Sequence, residues 1–401
     1  MRQEIPILLP KADLPTEVNL NRMEFMTTGL VLTGGGARVA YQVGVLKGIA
    51  TILPRTVYNP FPIITGTSAG AINAMSIAGR PGSFRLRMRK LETIWRNLHA
   101  SDIYRTDFIG VTANIFHVLA SLLHSGYGIG RPISLLNNQP LKQLLNNYIK
   151  FKHLETAIDS RELQAIAVTA MNYASGQSIT FFQGHSELQN WSRARRKGKS
   201  VDININHLMA STAIPNLFPS VEIDGTYYGD GALRQLKPMS PALHMGAKKL
   251  LTISVSNSSV QSSSIPSKHS PSIAAIIGHM FSSAFTDAIE SDLESLQAIN
   301  RLAKLIPESQ REAHGIEDLS PIEALHIAPS QSIDAIACQH LQELPITLRM
   351  LLKLTGATDD GDGINAASYL LFEPGFCRRL IDLGYQDAFD NADQIKQFFD
   401  L

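Results

Sequence analysis

Ile63-Ile64-Thr65-Gly66-Thr67-Ser68-Ala69-Gly70-Ala71-Ile72-Asn73-Ala74 is the stretch that decides how this chain folds. Three β-branched residues run into a turn of glycines and small side chains, and a small-residue helix from Ala71 to Ala78 follows. β-Branched residues suit a strand, while glycines on both sides of Ser68 relieve crowding in a sharp strand-to-helix turn. Such a turn lifts a serine hydroxyl out of the sheet, and the next helix points its amino-terminal dipole at it. Taken alone, Gly66-x-Ser68-x-Gly70 also suits a glycine-rich turn with an incidental serine.

The same strand–loop–helix pattern occurs about thirty residues upstream. Leu30, Val31 and Leu32 form a short apolar strand, Gly34-Gly35-Gly36 ends it, and Val39, Val43, Leu46 and Ala50 follow at helical spacing. Glycines let backbone N–H groups point into a cavity, which suits an anion. A dinucleotide loop needs a glycine where Val39 stands, and no Gly-Lys-Ser/Thr follows for a phosphate-binding P-loop. An oxyanion hole for a developing ester anion is the other use. Two such units place both loops at the carboxyl edge of neighbouring parallel strands.

Further strands are expected at Leu163 to Val168, Ile179 to Phe182 and Leu250 to Val255, with a hairpin from Val221 to Gly229 around Asp224-Gly225. Strands alternating with helices predict an α/β fold with a mainly parallel sheet covered on both faces. Residues 1–27 read as an extension with little periodicity. Ten serines between Ser254 and Ser272 mark a loop, set at 257–272, and a mostly helical region, 273–401, follows. Thr358 to Gly363 carries Asp359, Asp360 and Asp362 but lacks calcium-loop spacing, so it reads as a turn.

The chain has 401 residues, 44% of them apolar, enough for one large domain with appendages and too apolar for disorder throughout. Lys and Arg number 36 against 35 Asp and Glu, a balance that argues against a nucleic-acid partner. Two cysteines, Cys338 and Cys377, provide neither a disulfide framework nor a zinc quartet. With no signal-like apolar run near Met1, a cytoplasmic protein is expected. Charged residues make up only 18%, and Phe108 to Gly130 holds none. Phe108, Val111, Ile115, Leu119 and Leu122 form a stripe rather than a uniformly apolar rod. That segment reads as a helix covering a pocket or lying at a lipid interface, with Ile273 to Phe285 as a second such cover. The basic clusters Arg85, Arg87, Arg89, Lys90 and Arg193, Arg195, Arg196, Lys197, Lys199 read as solvated loops or as anchors for anionic headgroups.

A nucleophilic serine needs a base. His207, His244, His279 and His326 follow Ser68, but none sits in a distinctive turn. Asp230 does: it closes the hairpin in Gly229-Asp230-Gly231-Ala232, where glycines let a carboxylate approach another loop. Desolvation can raise a carboxylate pKa into the range of a general base. An ordinary Asp-Gly turn is the alternative.

Gly34-Gly35-Gly36-Ala37-Arg38, Gly66-Thr67-Ser68-Ala69-Gly70 and Asp230-Gly231-Ala232 stand in the order and spacing of the patatin-like phospholipases, which the chain resembles. Ala210, Ser211, Ala213, Ile214, Pro215, Phe218 and Pro219, then Pro238 to Ala242, continue the likeness, and Val39 departs from it where a glycine is common. The resemblance is strong over Thr28 to Ser256 and implies a three-layer α/β/α fold with an acyl hydrolase domain at 28–256. It implies a Ser–Asp dyad, with Ser68 as nucleophile, Asp230 as base, and the amides of Gly34, Gly35 and Gly36 as oxyanion hole. Arg38 would support the loop, while Gly66, Gly70, Gly231 and Ala232 complete the motifs. No metal or organic cofactor is implied. The expected partner is a lipid ester at a membrane or lipid-aggregate surface. A neutral-lipid lipase or general carboxylesterase, and a non-catalytic lipid-binding protein, are the rival functions.

Overall fold

Strand β1 (Thr28–Leu32) lies between β2 (Ile63–Thr67) and β9 (Lys249–Ile253), parallel to both. A computed structural model describes residues 27–106, 134–257, 272–314, 320–354 and 364–401. The expected cover at Phe108 to Gly130 and the turn at Thr358 to Gly363 lie outside the described residues. So do the extension at 1–27, apart from Thr27, and the serine-rich loop at 257–272, apart from Asn257 and Ser272.

The parallel run continues through β3 (Ala165–Asn172) beside β2 and through β10 (Glu323–Ile327) beside β9. Beyond β3 the direction changes: β4 (Ser178–Gly184) is antiparallel to it. The hairpin of β7 (Val221–Ile223) and β8 (Thr226–Asp230) also pairs with β3, through β8. Asp224 and Gly225 both have positive φ, 50° and 74°, as a two-residue hairpin turn with right-handed strand twist requires. The fold is α/β with a mostly parallel central sheet flanked by helices.

Side-chain alternation explains the layers. Leu30, Leu32, Ile64, Ile166 and Ile253 project to one face, where they join Val43, Leu46 and Ile49 of the helix Ala40–Ile52 and Phe376 and Leu380 of the helix Pro374–Asp390. Val31, Ile63, Ala165, Ala167 and Leu250 project to the other, against Met239, Ala242, Ile289 and Leu296. Successive strand residues point to opposite faces, so both faces must be covered. The helices Ala40–Ile52 and Pro374–Asp390 pack closely enough that a Cβ on Gly44 or Gly384 would strike backbone of the partner helix.

Two short strands depart from the sequence expectation. Trp191–Arg193 (β5) and Arg196–Ser200 (β6) pair antiparallel, and β6 adds parallel to β4 at the sheet edge, where a loop is the simple expectation. The edge strand itself, β5, is only three residues long and carries the exposed Arg193, and both features oppose pairing with another molecule. The other basic cluster divides: Arg87 is buried and paired with Glu162, while Arg89 and Lys90 are exposed on the helix Phe84–Arg96.

Candidate active site

Sheet register brings the two motif residues together. Thr67 of β2 is opposite Thr169 of β3, and Asp230 at the end of β8 is opposite Ala170, the next residue. Ser68 follows Thr67 directly, so a serine hydroxyl and a carboxylate far apart in the chain meet at the carboxyl edge of the sheet. Ser68 Oγ donates to Asp230 Oδ2 at 2.5 Å.

The backbone at Ser68 is unusual, with φ 54° and ψ −132°, just before the helix Ala69–Ala78. A non-glycine residue held there stores strain of about 1–3 kcal/mol, which the surroundings must offset. The neighbouring glycines are required by space. A Cβ on Gly66 would lie 2.5 Å from Ala71 Cα, and one on Gly70 would strike the carbonyls of Leu32 and Thr33. The Ser68 N–H donates to Ser211 Oγ at 2.9 Å, and that hydroxyl donates to the Thr169 carbonyl at 2.7 Å.

Asp230 is 1% exposed and Ser68 2%. Burial raises the Asp230 carboxyl to about 7, although hydrogen bonds from the Ser68 hydroxyl and the Ala232 N–H act in the opposite direction. Ala232 N reaches Asp230 Oδ1 at 2.9 Å, so each carboxylate oxygen has a donor. Gly231 presses on the Thr169 carbonyl, where a Cβ would overlap. Beneath the pair, Thr67 Oγ1 donates to Gln235 Oε1, and Gln235 Nε2 donates to Thr169 Oγ1 at 3.3 Å.

The glycine loop lies against the serine. A Cβ built on Gly34 would be 3.0 Å from Ser68 Cβ and 2.6 Å from the Phe285 ring. Gly36 has φ 55°, and its own Cβ would overlap the Tyr369 carbonyl oxygen. Among the described residues, the amides of Gly34, Gly35 and Gly36 have no hydrogen-bond partner. Arg38 is buried. Its Nε donates to Ser368 Oγ at 2.8 Å and its Nη2 to Asn365 Oδ1 at 2.6 Å; Nη2 also pairs with Asp334, and the guanidinium lies 4.1 Å from the Tyr369 ring centroid. The loop is thus tied to the 320–401 part of the chain.

A second network lies behind the loop. Gln42 Nε2 donates to the Thr33 carbonyl at 2.8 Å, Asn73 Nδ2 donates to Gln42 Oε1 at 3.1 Å, and Trp95 Nε1 donates to Asn73 Oδ1 at 2.9 Å. Trp95 also lines a cavity that reaches Ser68 and Gly36. Its walls are apolar, including Ile72, Leu91, Leu141, Leu145 and Phe218. No histidine takes part in the pair among the described residues. His207 packs on Phe181, His244 on Trp191, and His326 meets Ser254, while His279 is exposed.

Sequence reasoning missed Gln235, Gln42, Asn73 and Trp95, and assigned Ser211 no role. Ser211 lies in a quoted motif, so a signal existed there; an isolated Gln or Asn offers none. Among the described residues, no group of His, Cys, Asp and Glu is arranged to hold a metal ion.

No curated protein matches the chain. Among solved structures, VipD from Legionella pneumophila is similar over 92% of this chain and 67% of its own, at 11% identity and a TM-score of 0.35. Human GIVD cytosolic phospholipase A2 is similar over 97% of this chain and 65% of its own, at 11% identity and a TM-score of 0.43. This chain spans about two thirds of those longer structures, and likeness at that level bears on neither substrate nor mechanism. The family model described as patatin-like phospholipase matches residues 30–243, more than half of the chain. The chain belongs to the patatin-like phospholipase family.

Proposed function

We propose that the protein is a serine lipid acyl hydrolase of the phospholipase A or lysophospholipase type, with the acyl hydrolase domain at 28–256 and residues 273–401 packed on it. The observation that carries this is the 2.5 Å hydrogen bond from Ser68 Oγ to Asp230 Oδ2, with Ser68 lining an apolar cavity. Asp230 takes the Ser68 proton as Oγ attacks the ester carbonyl carbon. The carbonyl oxygen becomes an oxyanion facing the amides of Gly34, Gly35 and Gly36, and Arg38 keeps that loop in place. As the intermediate collapses, Asp230 returns the proton to the leaving alcohol, and the acyl group stays on Ser68. Water then attacks, Asp230 accepts its proton, and fatty acid leaves as Ser68 Oγ is reprotonated. A base titrating near 7 is suited to accept and return a proton at neutral pH.

The apolar cavity supports an acyl chain as its occupant, because burying CH₂ groups gains about 0.8 kcal/mol each. No described helix is long and apolar enough to cross a membrane. Ile276, Ile277 and Met280 are exposed on the helix Ile273–Ser282, just ahead of Phe285. They support an enzyme that meets lipid peripherally. A fluorophosphonate probe tests the whole reading: it should modify Ser68 in the native chain and leave Ser68→Ala unlabelled, and an unlabelled native chain would overturn it.

A further inference from the structure

At the far edge of the sheet a second concavity is lined by Trp191, Arg195, Arg196, Arg234, Gln235 and Lys237. It shares no lining residue with the acyl cavity. We infer that this concavity is an anion-binding site that takes the phosphate group of a phosphorylated ligand. The inference does not depend on the role of Ser68.

Four cationic side chains line the concavity and no acidic one does. Lys237 is partly neutralised, since its Nζ lies 3.3 Å from Asp292 and donates to Ser295 at 2.8 Å. The guanidiniums of Arg195, Arg196 and Arg234 have no ion-pair partner among the described residues. A chain with a net charge of only +1 has acidic groups enough to pair them, yet leaves three together in a recess. Concave walls of low dielectric focus the field of like charges and draw in a counter-ion.

Two further observations separate this recess from a merely solvated face. Among the described residues, the buried N–H donors Arg196 Nε and Trp191 Nε1 have no hydrogen-bond partner, and Trp191 Nε1 lies over Gly198, which leaves Arg196 Nε as the donor available to the recess. Such donors are uncommon in folded proteins because each forfeits its hydration. Arg195, between β5 and β6, has φ 61°, where glycine or asparagine would be relaxed, and its carbonyl is pinned by the Ser178 N–H at 3.0 Å. That hydrogen bond fixes the turn from which Arg195 lines the recess. Burial, and after it the positive field of Arg193 and Arg196, push the nearby His244, stacked on Trp191, below the ordinary imidazole range.

Guanidinium is the group that best matches phosphate, through paired N–H···O bonds in one plane. Gln235 gives the recess a link to the nucleophile strand, because it bonds to Thr67, the residue before Ser68.

The test uses the whole chain and two probes: inorganic phosphate in solution by calorimetry, and phosphatidylcholine vesicles with and without phosphatidate by co-sedimentation. Saturable binding to at least one phosphate-bearing probe is expected. Binding in solution marks a free phosphorylated ligand, and binding only to phosphatidate vesicles marks a lipid headgroup; either supports the site. Arg196→Gln with Arg234→Gln should weaken binding about tenfold or more, the loss of two charge-assisted contacts. Arg89→Gln with Lys90→Gln removes the same charge from an exposed helix face and should leave binding within about twofold. Circular dichroism checks both. If the first pair fails to fold, Arg195→Gln repeats the test, since that exposed side chain makes no hydrogen bond among the described residues. Failure of both probes to saturate, or equal weakening by the two charge pairs, overturns the inference.

Discussion

Ser211 holds the backbone of Ser68: its hydroxyl accepts the Ser68 N–H at 2.9 Å while donating to the Thr169 carbonyl at 2.7 Å. One side chain thereby joins the Ser68 turn to the strand that also pairs with Asp230. Ser68 sits at positive φ, so this clamp opposes relaxation of the turn. Ser211→Ala leaves a buried N–H unpaired, which costs about 1–3 kcal/mol of stability. Turnover of a soluble ester should fall about tenfold or more. Denaturant unfolding and kinetics check the two effects separately, and unchanged kinetics in the folded variant would remove the clamp from the mechanism.

Ser68→Ala should abolish hydrolysis without unfolding the chain, since it removes one hydroxyl. Asp230→Asn retains the shape but cannot accept the serine proton, so turnover should drop by about 10³-fold or more. Ester hydrolysis at neutral pH measures both. Near-native turnover in either variant would refute the Ser–Asp assignment.

The Asp230 carboxyl titrates near 7 in the folded chain, far above the unfolded value of about 3.9. Two pH effects follow. Activity should rise as pH increases through about 7, because only the carboxylate accepts a proton. Stability should move the other way. Between the unfolded and folded pKa values the folded chain binds the extra proton, so the Asp230 contribution is full at acid pH and is lost as pH climbs through about 7. A tenfold difference in proton affinity between the folded and unfolded chain corresponds to about 1.4 kcal/mol. Asp230→Asn should therefore exceed the native chain in stability by roughly a few kcal/mol at about pH 8 and converge with it near pH 4. Urea unfolding of both proteins across that range measures the difference.

Gly36 and the Tyr369 carbonyl leave no room for a side chain between them. Gly36→Val also demands φ near 55° from a β-branched residue. It should displace the loop and lower turnover by about 10²-fold, the scale of a lost oxyanion donor, with a smaller change in KM. Fluorophosphonate labelling should slow in parallel. A folded variant with native turnover would exclude the glycine loop from catalysis.

Leu144 lines the apolar cavity from the helix Gln139–Tyr148. Leu144→Trp takes up space there, so long-chain esters should lose turnover while a short soluble ester retains it. Competition between esters of two chain lengths reads this directly. Equal loss on both would mean that the cavity does not hold the acyl chain.

Much of the site was legible along the chain because its signals are local. A β-branched strand, glycines and a small-residue helix lie within a few residues around Ser68, and Leu30 to Ala50 repeats the pattern. Asp224-Gly225 announces its hairpin because that turn needs two residues tolerant of positive φ. Local sterics fix such features wherever the segment ends up. β6 was not legible, since Arg196-Lys197-Gly198-Lys199-Ser200 has no apolar alternation, and its strand character comes from pairing with β4 and β5. β10 was missed although Leu325 and Ile327 alternate with His326, because three residues are too short a pattern among helical segments and its ladder comes from β9, far away in the chain.

The sequence by itself therefore determined the two strand–loop–helix units, the hairpin that carries Asp230 and the residue types available for chemistry. Tertiary structure alone decided that Ser68 and Asp230, 162 residues apart, share a hydrogen bond, through the register of β3 against both β2 and β8. It also decided that Asp230 is dry enough to titrate near 7, that Arg87 is buried while Arg89 is not, and that three arginines converge on one recess. Dihedral preference is a property of neighbouring residues, but burial, register and electrostatic environment depend on what packs across the chain. No local pattern encodes those.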